Sequence, residues 1–340
     1  MRIVQHVCAL LLLPFLFLGC REDSLEPILQ EVKIQQPLMG TLFQVKTYST
    51  DIPKARRLIA EGFEQAVEIE KIATDYDPSS ELNQLSAMPH GIPVPVSDTL
   101  FELLRLAKET AEATDGAYDP TLGPLTRLWR ETRRSGNLPE VIILEKARQS
   151  CGHRFLILDA EQQTVTLAKP NMQLDLGGIA KGYAADHIFN HLNQAGLTQT
   201  LVAAGGDLRF GAAPPDKSGW TIGLRTFHLT PSSTKNLVEC AVSTSGDLHQ
   251  SVTIRGKRYA HLIDHSTGLG LTTTRAATVI APLASMTDPL ATAACLHPNP
   301  DKLLQKFPQA SFRILSAEQN IPPVKSGQFL EKNERVLVDD

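Results

Sequence analysis

The sequence predicts an α+β fold, with mixed and antiparallel sheets and helices packed on them. Apolar stripes at helical spacing concentrate in the first half of the chain, whereas short alternating segments between Gly-containing turns fill the second. Strand and helix do not alternate regularly along the chain, as a doubly wound parallel sheet would require.

The elements follow in order. Residues 21–37 are polar, carry Pro27 and Pro37, and mark a tether ahead of a folded domain expected over 37–330. Thr41 to Tyr48 alternates as a strand does. Pro53 opens a helix to about Thr74, with a stripe of Leu58, Ile59, Phe63, Ala66 and Val67, and Asp75 to Ser80 breaks it. A loop with Pro89, Pro93 and Pro95 leads to Ser97, the N-cap of a helix through Leu100, Leu103, Leu104 and Ala107 that stops near Asp115-Gly116. Arg154 to Ala168 reads as two short strands. Leu174 to Leu176 runs into Gly177-Gly178, and a helix follows to about Asn193, ended by Gly196. Strands are then expected at Thr200 to Ala203, Trp220 to Leu224, Cys240 to Thr244 and Ala276 to Ala281, with a helix over roughly Ser285 to Leu296.

The chain has 340 residues, 42% hydrophobic and 21% charged, which suits a globular protein with a sizeable core. A net charge of −4 and only 6% aromatics exclude the broad basic surface and the stacking platform of a general nucleic-acid binder. The apolar run Val7 to Leu18 follows Arg2 and is too short to span a ~30 Å hydrocarbon core. It fits the core of a signal peptide over residues 1–19. Leu16-Phe17-Leu18-Gly19-Cys20 resembles a bacterial lipobox, so cleavage before Cys20 leaves a lipidated cysteine at the head of a tether over residues 20–36. Cys151, Cys240 and Cys295 remain in the mature chain. Two of them could pair in an exported protein, and their spacing matches no zinc site.

The densest group of chemically useful residues is Leu174 to Tyr183, where a strand delivers Asp175, two glycines turn the chain, and a helix begins with Lys181 one turn in. Helix N-terminal amides favour anions, although spacing alone favours a structural strand–turn–helix. Gly205-Gly206-Asp207 and Ser245-Gly246-Asp247 read as tight turns after strands. His261 stands near a strand end, as a proton carrier or a packed residue. Asp288 and Thr292 share a helix face and offer hard oxygen ligands, unless Asp288 only caps that helix. Asp75-Tyr76-Asp77 has the form of a D-x-D metal pair and equally suits a helix-ending loop.

Taken together, these segments resemble the ApbE family, the FAD:protein FMN transferases. The resemblance is collinear over roughly residues 37–315. It runs through Met39-Gly40-Thr41, Tyr76 to Leu82, Asp115-Gly116-Ala117-Tyr118-Asp119, Leu174 to Tyr183, Gly205-Gly206-Asp207, Thr244-Ser245-Gly246, His261 to Gly268 and Ser285 to Thr292. Two strings depart from the usual pattern: Asp264-His265-Ser266-Thr267-Gly268, and Thr287 to Thr292 with Pro289, which a first helical turn tolerates.

The resemblance implies an ApbE-like fold and an FAD pocket lined by Met39, Tyr76, Ala117, Tyr118, Asp119, Asp175, Lys181, Ser245 and Leu262. It implies Mg²⁺ held by Asp288, Thr292 and the carbonyl oxygen of Gly178, with His261 as general base. FAD would be the donor substrate and a threonine of an acceptor protein the recipient. A Mg²⁺-dependent FAD pyrophosphatase and a non-catalytic flavin-binding lipoprotein are the alternatives. Family acceptors, subunits of Na⁺-translocating NADH:quinone reductase and Rnf-type complexes, place the work on the periplasmic side of the inner membrane. The lipidation reading is tested by Cys20→Ser, which should release the protein from membranes on washing. Unchanged membrane partition would exclude Cys20 as the anchor.

Overall fold

The computed structural model describes residues 28–225, 231–246, 251–299 and 301–317. Cys20, the apolar leader and Asp247 lie outside them. In chain order the elements are β1 (Gln30–Leu38), β2 (Thr41–Ser49), α1 (Ile52–Ala73), α2 (Glu81–Ala87), β3 (Val94–Pro95), α3 (Asp98–Ala113), α4 (Gly123–Ser135) and α5 (Val141–Gln149). There follow β4 (Leu156–Asp159), β5 (Thr164–Leu167), α6 (Ala180–Gln194), β6 (Thr200–Ala204), β7 (Asp207–Phe210), β8 (Trp220–Arg225), β9 (Pro231–Leu237) and β10 (Ala241–Gly246). The chain continues through β11 (Ser251–Ile254), β12 (Lys257–Ala260), β13 (Ile263–Asp264), β14 (Leu269–Gly270), β15 (Thr274–Ala281), α7 (Ala284–Leu296), α8 (Asp301–Lys306) and β16 (Ser311–Ala317).

A seven-stranded sheet in the order β1-β2-β6-β7-β10-β15-β16 carries the fold, and its described pairings are all antiparallel. Side chains alternate across it. Val202, Ala241, Ala277 and Val279 face a core shared with α1, α6 and α7. Phe210, Val242 and Ile280 face away and are covered by Trp220 and Leu237 of the β8–β9 hairpin. The same parity sends Asp207 and Arg209 of β7, and Ser243 and Ser245 of β10, toward the helices. A smaller cluster joins Leu125 and Trp129 of α4 to Ile254, Tyr259 and Ile263.

The long helices and most of the expected strands are present, with these differences. Leu174 to Leu176 forms no strand; Gln173, just before it, makes only an isolated parallel bridge to Leu122. β1 begins at Gln30, inside the segment expected to be tether, because residues 30–38 pair with β2 in full register. The helices α2, α4 and α5 were not expected. α4 is strongly polar, and its narrow buried stripe is only Leu125, Trp129 and Thr132 beside Gly123, whereas Val141, Ile142 and Ile143 of α5 are exposed and consecutive and mark no buried face. Cys151, Cys240 and Cys295 are all free and buried.

α7 is the element whose start the sequence least reveals. Leu283 at its N-cap position makes no side-chain cap. Asp186, from α6, does so instead: Oδ1 accepts from the Ala284 amide at 2.9 Å, and Oδ2 accepts from the Ser285 amide at 2.9 Å and its hydroxyl at 2.8 Å. Arg209 lies 3.3 Å from the same carboxylate. Gly182 permits this contact, since a Cβ there would stand 2.2 Å from the Ala284 carbonyl oxygen. Asp186→Ala would strip two helix amides and leave the buried Arg209 with only the Phe210 and Cys240 carbonyls and no carboxylate. It should cost roughly 2–4 kcal/mol, read as a lowered denaturant midpoint with an unchanged slope.

Candidate active site

The hairpin tips of the sheet, the N-terminus of α6 and the second turn of α7 meet at one end of the sheet. The approach to α6 is fixed first. A parallel bridge joins Leu122 and Gln173, and the Asp175 amide donates to the Pro120 carbonyl at 2.8 Å. Asp175 then turns the chain, with its Oδ1 accepting from the Gly177 amide at 2.8 Å. α6 starts at Ala180, so Lys181 is its second residue rather than one turn in.

From there the Lys181 ammonium donates to the Gly177 carbonyl at 2.8 Å and to Asp288 Oδ2 at 3.2 Å, and stands 3.6 Å from Asp207. Burial alone would lower its pKa, but Asp288 and Asp207 outweigh that and hold it above the usual value. Asp207 is only 3% exposed. Burial, and then the nearby Asp288, push its pKa up to about 7 against the pull of Lys181. Sequence reasoning noted Asp207 only as a turn residue. The signal that places it here is its parity on β7, matching Arg209 two residues on.

Asp288 lies in the second turn of α7, so it is not the cap of that helix. Thr292, one turn further, has its hydroxyl 3.0 Å from that of Ser245. Ser245 and Gly246 belong to β10 itself, and Asp247, the last residue of the turn expected there, lies outside the described residues. Pro289 also falls inside α7 rather than in its first turn. It removes the amide that would bond the Ser285 carbonyl.

Tyr118 ties the two halves of the site together. It is 6% exposed, and its hydroxyl has no hydrogen-bond partner among the described residues. Burial, followed by Asp175, Asp288 and Asp119, raises its pKa well above the ordinary value. Its ring lies 3.2 Å from where a Cβ on Gly178 would be. A buried donor left open among carboxylates is where a bound group would complete the set.

The other expected site residues occupy varied positions. Met39 (φ +49°) and Gly40 (φ +68°) form the two-residue turn between β1 and β2, left-handed at both positions. Ala117 is partly buried against the main core. Asp119 spends its carboxylate on its own loop, accepting from the Thr121 amide and hydroxyl and the His153 amide. Burial works to raise its pKa, but the His153 ring 3.5 Å away and the two Thr121 bonds hold it low. Leu262 is buried in the main core, and His261 sits beside it at a partly buried bend. That bend is pinned by the Trp129 indole donating to the Ala260 carbonyl at 3.1 Å and by the Leu271 amide donating to Leu262 at 2.7 Å.

Tyr76 is 77% exposed, with the Arg130 guanidinium 4.2 Å from its ring centroid. Asp75 and Asp77 do not form a metal pair. Asp75 turns inward to Arg130, and Asp77 accepts from the Ser79 amide and hydroxyl. Arg130 itself was missed by sequence reasoning, because its partners are 55 and 45 positions away.

No three His, Cys, Asp or Glu side chains among the described residues are grouped to hold a metal. A cation here would draw on the Asp288 carboxylate with the hydroxyl of Thr292 and a backbone carbonyl, an oxygen-only set that fits a hard ion such as Mg²⁺. Among the described residues, Asp75, Asp175, Asp207 and Asp288 share ion pairs with Lys181 and Arg130, and Arg127 acts on Asp75 from further off, so carboxylates outnumber cations around the site.

An antiparallel sheet with helices on one face, and an anion-accepting helix end beside hard oxygen donors, define an enzyme suited to a phosphorylated ligand. The ApbE family model matches residues 39–311. The chain is 32% identical to an FAD:protein FMN transferase of Treponema pallidum over 292 residues, 80% of each chain. It is 29% identical to one of Salmonella typhimurium over 81% of each. Among solved structures, the ApbE protein of Thermotoga maritima superposes with a TM-score of 0.76 at 29% identity, covering 87% of this chain and 97% of that one. The apo flavinyl transferase ApbE of Pseudomonas stutzeri gives 0.76 at 27%, covering 87% and 95%. The chain belongs to the ApbE family and is a flavin transferase.

Lys181→Ala should weaken binding of a flavin that carries a pyrophosphate more than binding of riboflavin, measured by titration calorimetry. Equal losses for both ligands would place Lys181 away from the phosphates.

Proposed function

We propose that this chain transfers FMN from FAD to a threonine hydroxyl of an acceptor protein and releases AMP. The observation that carries this reading is the Lys181 ammonium at the start of α6, bonded to Asp288 and beside Asp207, with the open Tyr118 hydroxyl nearby. Lys181 and the N-terminal end of α6 bind the pyrophosphate, and Asp175, Tyr118 and Tyr76 orient the dinucleotide around it. Met39, Ala117, Asp119, Ser245 and Leu262 complete the pocket by resemblance. Asp288, Thr292 and the Gly178 carbonyl would hold Mg²⁺, which when bound offsets the charge growing on the leaving AMP.

His261 takes the proton of the acceptor hydroxyl as its oxygen bonds the phosphorus on the FMN side. The bond from that phosphorus to the AMP oxygen breaks, and AMP leaves with the electron pair. The acceptor gains a phosphoester. The lipobox-like start supports an anchor at Cys20 that holds the enzyme at the inner membrane, on its periplasmic side. Exported subunits of Na⁺-translocating NADH:quinone reductase or Rnf-type complexes are acceptors that such a position would serve.

Incubation with FAD, Mg²⁺ and a threonine-bearing acceptor, read by acceptor mass, tests the reading. A gain of one FMN supports it, whereas AMP and free FMN with an unmodified acceptor would mean hydrolysis. Asp288→Asn keeps shape and removes charge. It should leave a folded protein that binds FAD weakly and transfers almost no FMN, with partial recovery at raised Mg²⁺. Near-normal transfer with unchanged metal dependence would reject Asp288 as a ligand.

A further inference from the structure

Arg130 lies outside every motif that carries the family resemblance, yet three segments of the site meet on it. It projects from the middle of α4. One terminal nitrogen donates to Asp75 Oδ2 at 2.5 Å, in the loop after α1. The other donates to Asp175 Oδ2 at 3.4 Å, in the turn before α6. Its guanidinium carbon lies over the Tyr76 ring, 4.2 Å from the centroid. Exposure rises steadily across the group, from 5% for the Asp75 side chain through 15% for Asp175 and 34% for Arg130 to 77% for Tyr76. Arg130 therefore bridges a buried carboxylate and an exposed ring. Arg127, one turn earlier on α4, donates to Asn83 Oδ1 at 2.6 Å and ties the helix to α2, just beyond the Tyr76 loop.

We propose that Arg130 is a positioning residue for the flavin donor, setting the Tyr76 ring and the Asp175 carboxylate at a fixed separation before the dinucleotide arrives. This rests on the reading that the pocket takes FAD. The chemistry asks for arginine. A guanidinium fork can reach two carboxylates at once while its flat face stacks on an aromatic ring, whereas an ammonium is a point charge that can do only part of this. Asp75 is the anchor of the arrangement. It holds one arm of the fork in the protein interior, so the other arm and the face are left to the pocket. The loop that carries Tyr76 and the turn that carries Asp175 then respond together to one side chain on a third element.

A role limited to neutralising Asp75 would predict lost stability and nothing more. The test compares FAD affinity, by calorimetry on the full chain, for wild type, Arg130→Lys and the double variant Asp75→Asn/Arg130→Gln, each with and without Tyr76→Ala. The double variant removes both charges of the more buried pair and leaves Asp175 its bond from the Gly177 amide, which keeps it foldable. Both changes at Arg130 should weaken FAD about tenfold, roughly 1.4 kcal/mol, with the kinetic loss in KM rather than kcat. Tyr76→Ala should weaken FAD in wild type and add less than about twofold once the fork is gone, because the ring is then already unplaced. The proposal is overturned if both Arg130 variants keep FAD affinity within about twofold, or if the Tyr76→Ala loss is the same with and without the fork. A wild-type chain that binds no FAD would overturn the pocket reading itself, and this role with it.

Discussion

The position of α7 depends on one carboxylate. Asp186 sits in the middle of α6 and receives the first two amides and the first hydroxyl of α7. Helix ends leave such groups without partners, so the helix that supplies the acceptor decides where the next one begins. Gly182 brings the two backbones close enough for this to happen. With α7 locked there, Asp288 falls opposite Lys181 of the same α6, and Thr292 falls opposite Ser245 of β10. The fold and the site therefore share a joint. Lys181 and Asp186 lie on one helix, facing Asp207 and Arg209 on one strand, and each pair is of opposite charge.

The arrangement concentrates like charges more than folding alone would favour. Asp207 is buried beside Asp288, which raises its pKa, and Lys181 compensates only in part. Asp75 is raised by burial and by Asp175, with Arg130 acting against them. The Tyr118 hydroxyl lies buried among these carboxylates without a hydrogen bond from a described residue. Such a site is a standing cost in the free protein, and a cation or a polar ligand relieves it on binding. The positive φ of Met39 at a hairpin tip is a second local cost of the same kind.

Much of the fold was legible in local pattern. The α1 stripe, the Ser97 cap of α3 and the Gly177-Gly178 approach to α6 each depend on neighbours within a few residues, which sequence displays directly. α4 and α5 were hidden because their buried faces are narrow or polar, and the β1 strand was hidden because pairing with β2, not its own composition, makes it a strand. Asp288 and Thr292, proposed above as metal ligands, were visible as an i, i+4 spacing, but the alternative for Asp288, a helix cap, could be removed only by seeing Asp186 take that role.

By itself, then, the sequence determined the α+β class, the Gly-Gly turn and helix that present Lys181, and the run of motifs that marks the family, since all of these are properties of contiguous residues. Tertiary structure decided which charges face one another. Asp207 reaches Lys181 through strand parity, Arg130 reaches Asp75 and Asp175 across 55 and 45 positions, and the Tyr118 hydroxyl is enclosed by residues from separate segments. Electrostatic interaction depends on distance in space and on the removal of water, and neither is recorded in the order of residues along the chain.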